Sequence, residues 1–159
     1  MIFKICGLRK EESLVCCEKN NADFFGMIFY EKSPRNITFN EAETLINTSK
    51  KLRIKPVGVF VDHEINDLKK IISSLALKYI QLHGREDQLY IDEIKNHFKV
   101  KIIKKISINN SEDLNIINKF NNIEYLLFDY KPDSNELPGG NSKSFDWNLL
   151  KDQKIKFYF

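Results

Sequence analysis

The feature that most narrows the fold of this chain is a regular alternation of two patterns. Apolar runs of strand length occur at 2–6 (IFKIC), 23–30, 57–62, 79–83, 100–108 and 124–130. Between them lie amphipathic runs of helix length at 10–20, 40–52, 65–76, 86–98 and 112–120. Strand and helix in strict alternation predict a parallel sheet covered by helices. The run DFFGMIFY at 23–30 is apolar almost throughout, as a strand buried on both faces must be. In 65–76, Ile65, Leu68, Ile72 and Leu75 recur at helical spacing and mark the face turned to the sheet. In 40–52, Asn40 with Glu43 three positions on reads as a capping box, and Ser111 as the cap of the helix at 112–120.

Two architectures satisfy this alternation, an open doubly wound sheet and a closed barrel. A doubly wound dinucleotide fold carries G-x-G-x-x-G after its first strand, and neither that nor P-loop spacing is present. The expectation is therefore α/β, a (βα)8 TIM barrel formed by residues 1–159 as a single domain. The barrel reads as incomplete: about six βα units, a long loop at 131–144, a helical turn or two at 145–151, and a seventh strand at 156–159. A barrel stopping there leaves open sheet edges, through which self-association is expected.

Composition closes off other classes. With 42% apolar and 30% charged residues the chain reads as globular. A net charge of +3 spread over helix faces offers no basic block for nucleic acid. No apolar run nears the ~20 residues that span a bilayer, and the start has no signal-peptide layout, so a cytoplasmic location is the default. Three cysteines, two of them the adjacent Cys16 and Cys17, make no disulfide framework. Cys17, with Leu14 and Cys16, reads as helix packing. No Cys/His cluster has metal-ligand spacing, so no metal is expected.

Chemistry in such a fold collects at the carboxyl ends of the strands. There the chain carries Lys4-Ile5-Cys6-Gly7-Leu8-Arg9, a lone thiol before a glycine. Read by itself, such a Cys is commonly a small buried hydrophobe. Asp129 shares strand parity with Tyr125 and Leu127, so a barrel-facing Leu127 puts its carboxylate over the mouth; a strand-end carboxylate bonded to loop amides is the plainer reading. Arg35 is one of four arginines against twenty-one lysines, which hints at a need for its planar fork. His83 precedes Gly84, either as a wall of the site or as a structural hydrogen-bonding group. Lys4 lies two before Cys6 and leaves the strand on the same side. It either points inward, favouring the thiolate, or snorkels out at the barrel bottom.

Six segments together resemble the phosphoribosylanthranilate isomerase family. They are KICGLR at 4–9, GMIFYEKSPRNIT at 26–38, VGVFVD at 57–62, IQLHGRED at 80–87, LLFDY at 126–130 and LPGGNSKSFDW at 137–147. The resemblance implies a (βα)8 barrel and a cofactor-free Amadori rearrangement in tryptophan biosynthesis. It also implies a small phosphorylated sugar-anthranilate substrate. It makes Cys6 the general base and Asp129 the general acid, with Arg35 and His83 binding substrate. An acid working near neutrality needs a raised pKa, expected here from burial of Asp129 beside Leu127 and Phe128. The family continues past the seventh strand with a Gly-Gly phosphate loop, an eighth strand and a last helix. Two other readings stand beside this one: an inactive barrel fragment, and a different sugar-phosphate barrel enzyme, which would show a catalytic lysine or a metal pair.

Overall fold

Six parallel strands make one sheet in the computed structural model, which describes residues 2–131 and 143–151. They are β1 (Lys4–Cys6), β2 (Phe24–Phe29), β3 (Lys55–Phe60), β4 (Tyr79–Leu82), β5 (Lys101–Ile108) and β6 (Tyr125–Tyr130). Their order across the sheet is their order in the chain. Each crossover therefore steps to the next position in one direction, which is the winding of a barrel; a doubly wound sheet reverses. The result is a six-strand parallel half-barrel.

Helices α1 (Glu11–Lys19), α2 (Phe39–Ser49), α3 (Ile65–Ser74) and α4 (Gln88–His97) follow the first four strands. Leu14, Ala42, Leu45, Leu68, Ile72, Ile91 and Ile94 turn toward the sheet and bury against Phe25, Met27, Phe29, Phe60, Ile80, Leu82 and Ile102. Each large side chain so buried contributes about 1.5–3 kcal/mol. The opposite parity lines the concave face, where Phe24, Val57 and Ile103 pack with Tyr79, Tyr125 and Leu127. Period-two alternation thus serves two cores at once, which is why the strand runs look continuously apolar.

The helices correct the sequence reading in three places. Helix α2 is capped by Thr38, whose hydroxyl accepts from the Glu41 N–H while the Glu41 carboxylate accepts from the Thr38 N–H. The expected Asn40–Glu43 box sits two positions too late, inside the first turns. The segment Ser111–Lys119 is a 3-10 helix, capped by Asn110 in place of Ser111. Its Asn and β-branched Ile residues favour α-helix weakly, so the tighter winding is unsurprising. Cys16 is exposed, and only Cys17 and Leu14 of α1 join the core. Trp147–Leu150 forms a single 3-10 turn. The expected Lys156–Phe159 strand and the Leu137–Gly140 segment lie outside the described residues. Among those described, no helix is long and apolar enough to cross a membrane.

Among the described residues, one ion pair is buried in the outer core. Lys104 and Glu86 meet at 2.7 Å, with side chains 3% and 2% exposed. The second Glu86 oxygen accepts from the N–H groups of Asp62 and Gly84 at 3.0 and 3.2 Å, and the Lys104 ammonium also donates to the Gly84 carbonyl. Breaking such a pair leaves a buried charge stranded, at about 3–5 kcal/mol. Lys104→Met is therefore expected to lower the unfolding free energy by about 3 kcal/mol or more in urea. A loss below about 1 kcal/mol would mean that Glu86 finds a new partner.

Candidate active site

The carboxyl ends of the strands carry the chemical groups on the concave face. Cys6 pairs in register with Gly26 of β2. A Cβ on Gly26 would stand 2.6 Å from the Cys6 sulfur, so the missing side chain is the space the thiol occupies. The chain then turns at Gly7, whose φ of +84° suits glycine. The N–H groups of Gly7 and Leu8 both donate to the Gly26 carbonyl, at 2.8 and 3.2 Å. The thiol is thereby fixed at the exit of β1 and half-exposed to the mouth.

Arg35 stands on the rim beside it. Its Nη1 donates to the Cys6 carbonyl at 3.1 Å, and its side chain lies across Gly7 where a Cβ would otherwise be. The loop carrying it is closed by its own bonds. The Tyr30 N–H donates to Asn36 Oδ1, the Asn36 N–H to the Ser33 carbonyl, and the Ile37 N–H back to the Ile28 carbonyl. Arg9, in the loop after β1, reaches Glu41 of the α2 capping box at 2.7 Å. That bond, together with Thr38, holds the Glu41 carboxyl down to about 2, the backbone N–H of Thr38 being the largest cause.

On the far side, Asp129 near the end of β6 faces inward with Leu127, as parity predicts. Its Oδ2 lies 3.5 Å from Nε2 of His83, and its Oδ1 accepts its neighbour's Tyr130 N–H at 2.9 Å. His83 Nδ1 is 2.8 Å from Gln81 Nε2. The expectation of a raised Asp129 pKa is overturned. Burial does push it up, but the neighbouring His83, the Tyr130 N–H and the Lys105 ammonium together hold it below the usual carboxylate range. His83 is also held low, by burial first, with the Lys105 and Lys4 charges adding to it against Asp129.

Two residues of this mouth escaped the sequence reading. Lys105 and Ser107 of β5 share the inward face, Ser107 in register with Asp129. The Lys105 ammonium donates to Ser107 Oγ at 2.6 Å, and the residue is only 7% exposed. Burial lowers its pKa while Asp129 supports its charge. Adjacent lysines at 104 and 105 conceal which one faces in; fixing the parity of β5 from Ile103 would have found it. Lys4 does share the face of Cys6, through its register with inward Phe24. It is half-buried, and among the described residues no carboxylate or carbonyl lies within hydrogen-bonding distance of its ammonium. No group of three or more His, Cys, Asp or Glu able to hold a metal occurs among them either.

A parallel half-barrel with thiol, imidazole, carboxylate and ammonium gathered at its strand ends defines an enzyme of the α/β-barrel class. The family model described as N-(5'phosphoribosyl)anthranilate (PRA) isomerase matches residues 3–158. The chain belongs to that family, whose members are isomerases of tryptophan biosynthesis. An N-(5'-phosphoribosyl)anthranilate isomerase from Zymomonas mobilis subsp. mobilis is 41% identical over 153 residues, covering 95% of this chain and 71% of the relative. The crystal structure of phosphoribosyl anthranilate isomerase from Thermotoga maritima superposes with a TM-score of 0.79 at 30% identity, over 94% of this chain and 70% of that one. A phosphoribosyl anthranilate isomerase solved in complex with reduced 1-(o-carboxyphenylamino)-1-deoxyribulose 5-phosphate gives 0.76 at 27%, over 94% and 69%.

The depressed pKa values fix the sign of a pH effect. The unfolded chain holds a proton on His83 below about 6.5 where the folded one does not, and on Asp129 below about 3.9. Both contributions are present at neutral pH. The first is lost as pH falls from about 6.5 through the folded value of His83, and the second below about 3.9. Urea unfolding followed across pH 7 to 4 should show stability falling on acidification. His83→Gln should flatten the upper part of that fall; an unchanged slope would place the titration elsewhere.

Proposed function

We propose that this chain converts N-(5-phosphoribosyl)anthranilate to 1-(2-carboxyphenylamino)-1-deoxyribulose 5-phosphate, with Asp129 as general acid and Cys6 as general base. The observation that carries this reading is the common inward face of the two groups, at the carboxyl ends of β1 and β6. The chemistry needs no more than two proton-transfer groups. A proton passes from Asp129 to the furanose ring oxygen, the C1–O bond breaks, and the nitrogen lone pair forms an iminium. Cys6 then takes the C2 proton, and the C–H electrons flow into the iminium to give an enolamine. Cys6 then returns its proton to C1 while the C2 hydroxyl gives up its own, which restores the acid, and the aminoketose is complete. The iminium itself is the electron acceptor.

The other groups fit parts of the same substrate. Arg35, on the rim beside Cys6, has the planar fork that suits the anthranilate carboxylate. His83 holds Asp129 in orientation and forms a polar wall. The complex of the relative with a reduced phosphorylated aminoketose supports the substrate class. The fold that accompanies this reading is the full (βα)8 barrel, to which the half-barrel described here contributes six strands. Were the barrel left open, β1, beside exposed Phe3 and with exposed Ile5, would be the edge through which chains self-associate.

Cys6→Ser and Asp129→Asn should each lower kcat by ~100-fold or more with little change in KM, since each removes a group that acts in the transition state. Ordinary turnover in either variant would strike that residue from the mechanism. Arg35→Lys keeps the charge and loses the fork, so KM should rise by about tenfold while kcat changes less.

A further inference from the structure

Gln81 is 2% exposed, and its Oε1 is the buried side-chain polar atom left without a hydrogen-bond partner among the described residues. An unpaired buried carbonyl oxygen costs about 1–3 kcal/mol, so the amide orientation needs a reason. Its other end supplies one. Gln81 Nε2 lies 2.8 Å from His83 Nδ1, and an amide nitrogen can only donate. Nδ1 must then carry a lone pair, and the ring proton sits on Nε2, facing the Asp129 oxygen 3.5 Å away. The turned amide would accept from Nδ1–H, and a neutral ring would then set the lone pair of Nε2 against the Asp129 carboxylate.

We infer that Gln81 is a positioning residue for the acid, acting through His83: its amide holds the imidazole neutral, with its single proton on Nε2. This inference rests on the proposed acid role of Asp129. A ring so held turns its one N–H toward the carboxyl group, and its other nitrogen is engaged by the Gln81 amide. A proton arriving at the pair therefore lands on Asp129, where it can be passed to the substrate. The same donor orients the carboxyl through Oδ2, as second groups behind a histidine commonly do. The charges facing the ring act the same way. Lys105 from β5 and Lys4 from β1 oppose a cationic imidazole, while Asp129 from β6 favours one. Gln81 adds geometry to that balance by denying Nδ1 a proton acceptor.

The test is the state of the His83 ring, read by nitrogen-15 and proton NMR on the whole chain, and set beside kinetics. In the unmodified protein Nδ1 should resonate as an unprotonated ring nitrogen and Nε2 as a protonated one. Gln81→Glu places an acceptor beside Nδ1, so a proton should enter there and the His83 titration should move up by about one pH unit or more. Gln81→Met, which keeps the volume and adds no buried charge, should give a mixture of the two tautomers. It serves if the glutamate variant folds poorly. In both variants the pH limb of kcat assigned to the acid should shift. A proton found on Nδ1 in the unmodified protein overturns the inference, as does a His83 ring unchanged in the folded Met variant. Should Asp129→Asn keep its turnover, the acid assignment fails by itself. The tautomer readout then still reports on Gln81 directly.

Discussion

The mouth of this half-barrel hangs on one carboxylate. Glu86 is buried, and its two oxygens gather the Asp62 N–H, the Gly84 N–H and the Lys104 ammonium. Those groups follow β3, follow β4 and belong to β5. Their meeting point fixes the exits of three adjacent strands relative to one another. His83 is the residue just before Gly84, so its ring hangs from the same anchor. A buried ion pair is poor evidence for stability in itself, because desolvation consumes most of the Coulomb gain. Here its value is registry: a loop amide, a strand lysine and a carboxylate have a single arrangement in which all are satisfied.

The concave face repeats that logic with more charge. Phe24, Tyr79 and their neighbours close the lower interior, with Phe24 and Tyr79 edge to face at 4.9 Å. Lys4 stands level with Phe24, and above them lie Lys105, His83 and Asp129. Burial, with the Lys105 and Lys4 charges, holds His83 low against the pull of Asp129, and His83, the Tyr130 N–H and Lys105 hold Asp129 low. That is the opposite of the isolated, hydrophobically raised acid. A carboxyl group in this setting protonates as part of a pair with its histidine, and its affinity for a proton depends on what the bound molecule does to its neighbours.

Much of this arrangement could be read from the chain. Six strands and three of the four helices fell within about two residues of expectation, with α2 ending three residues early, because a two-faced parallel strand leaves an apolar run that little else produces. Cys6, Arg35, His83 and Asp129 all lie at strand exits, three of them on or beside motifs with a glycine or proline. What could not be read depended on contacts across the sequence. The capping box needed Thr38 weighed against Asn40, and both carry a suitable side chain. The Asp129 pKa needed the neighbours from β4 and β5, which parity within β6 alone does not reveal. Lys105 was hidden by Lys104, since two successive lysines in an apolar strand leave the inward one undecided.

The rim loop that carries Arg35 is tied at Tyr30, Asn36 and Ile37, and again where Arg35 meets the Cys6 carbonyl. An arginine on a slack loop would have to surrender backbone and side-chain freedom when an anion arrives. This one has given up most of that freedom during folding. The affinity it lends an anion is then set mainly by exchanging water for carboxylate around the guanidinium. Encounter with the rim resembles docking onto a rigid surface, and the slow event, if there is one, belongs to the deeper ring of charges.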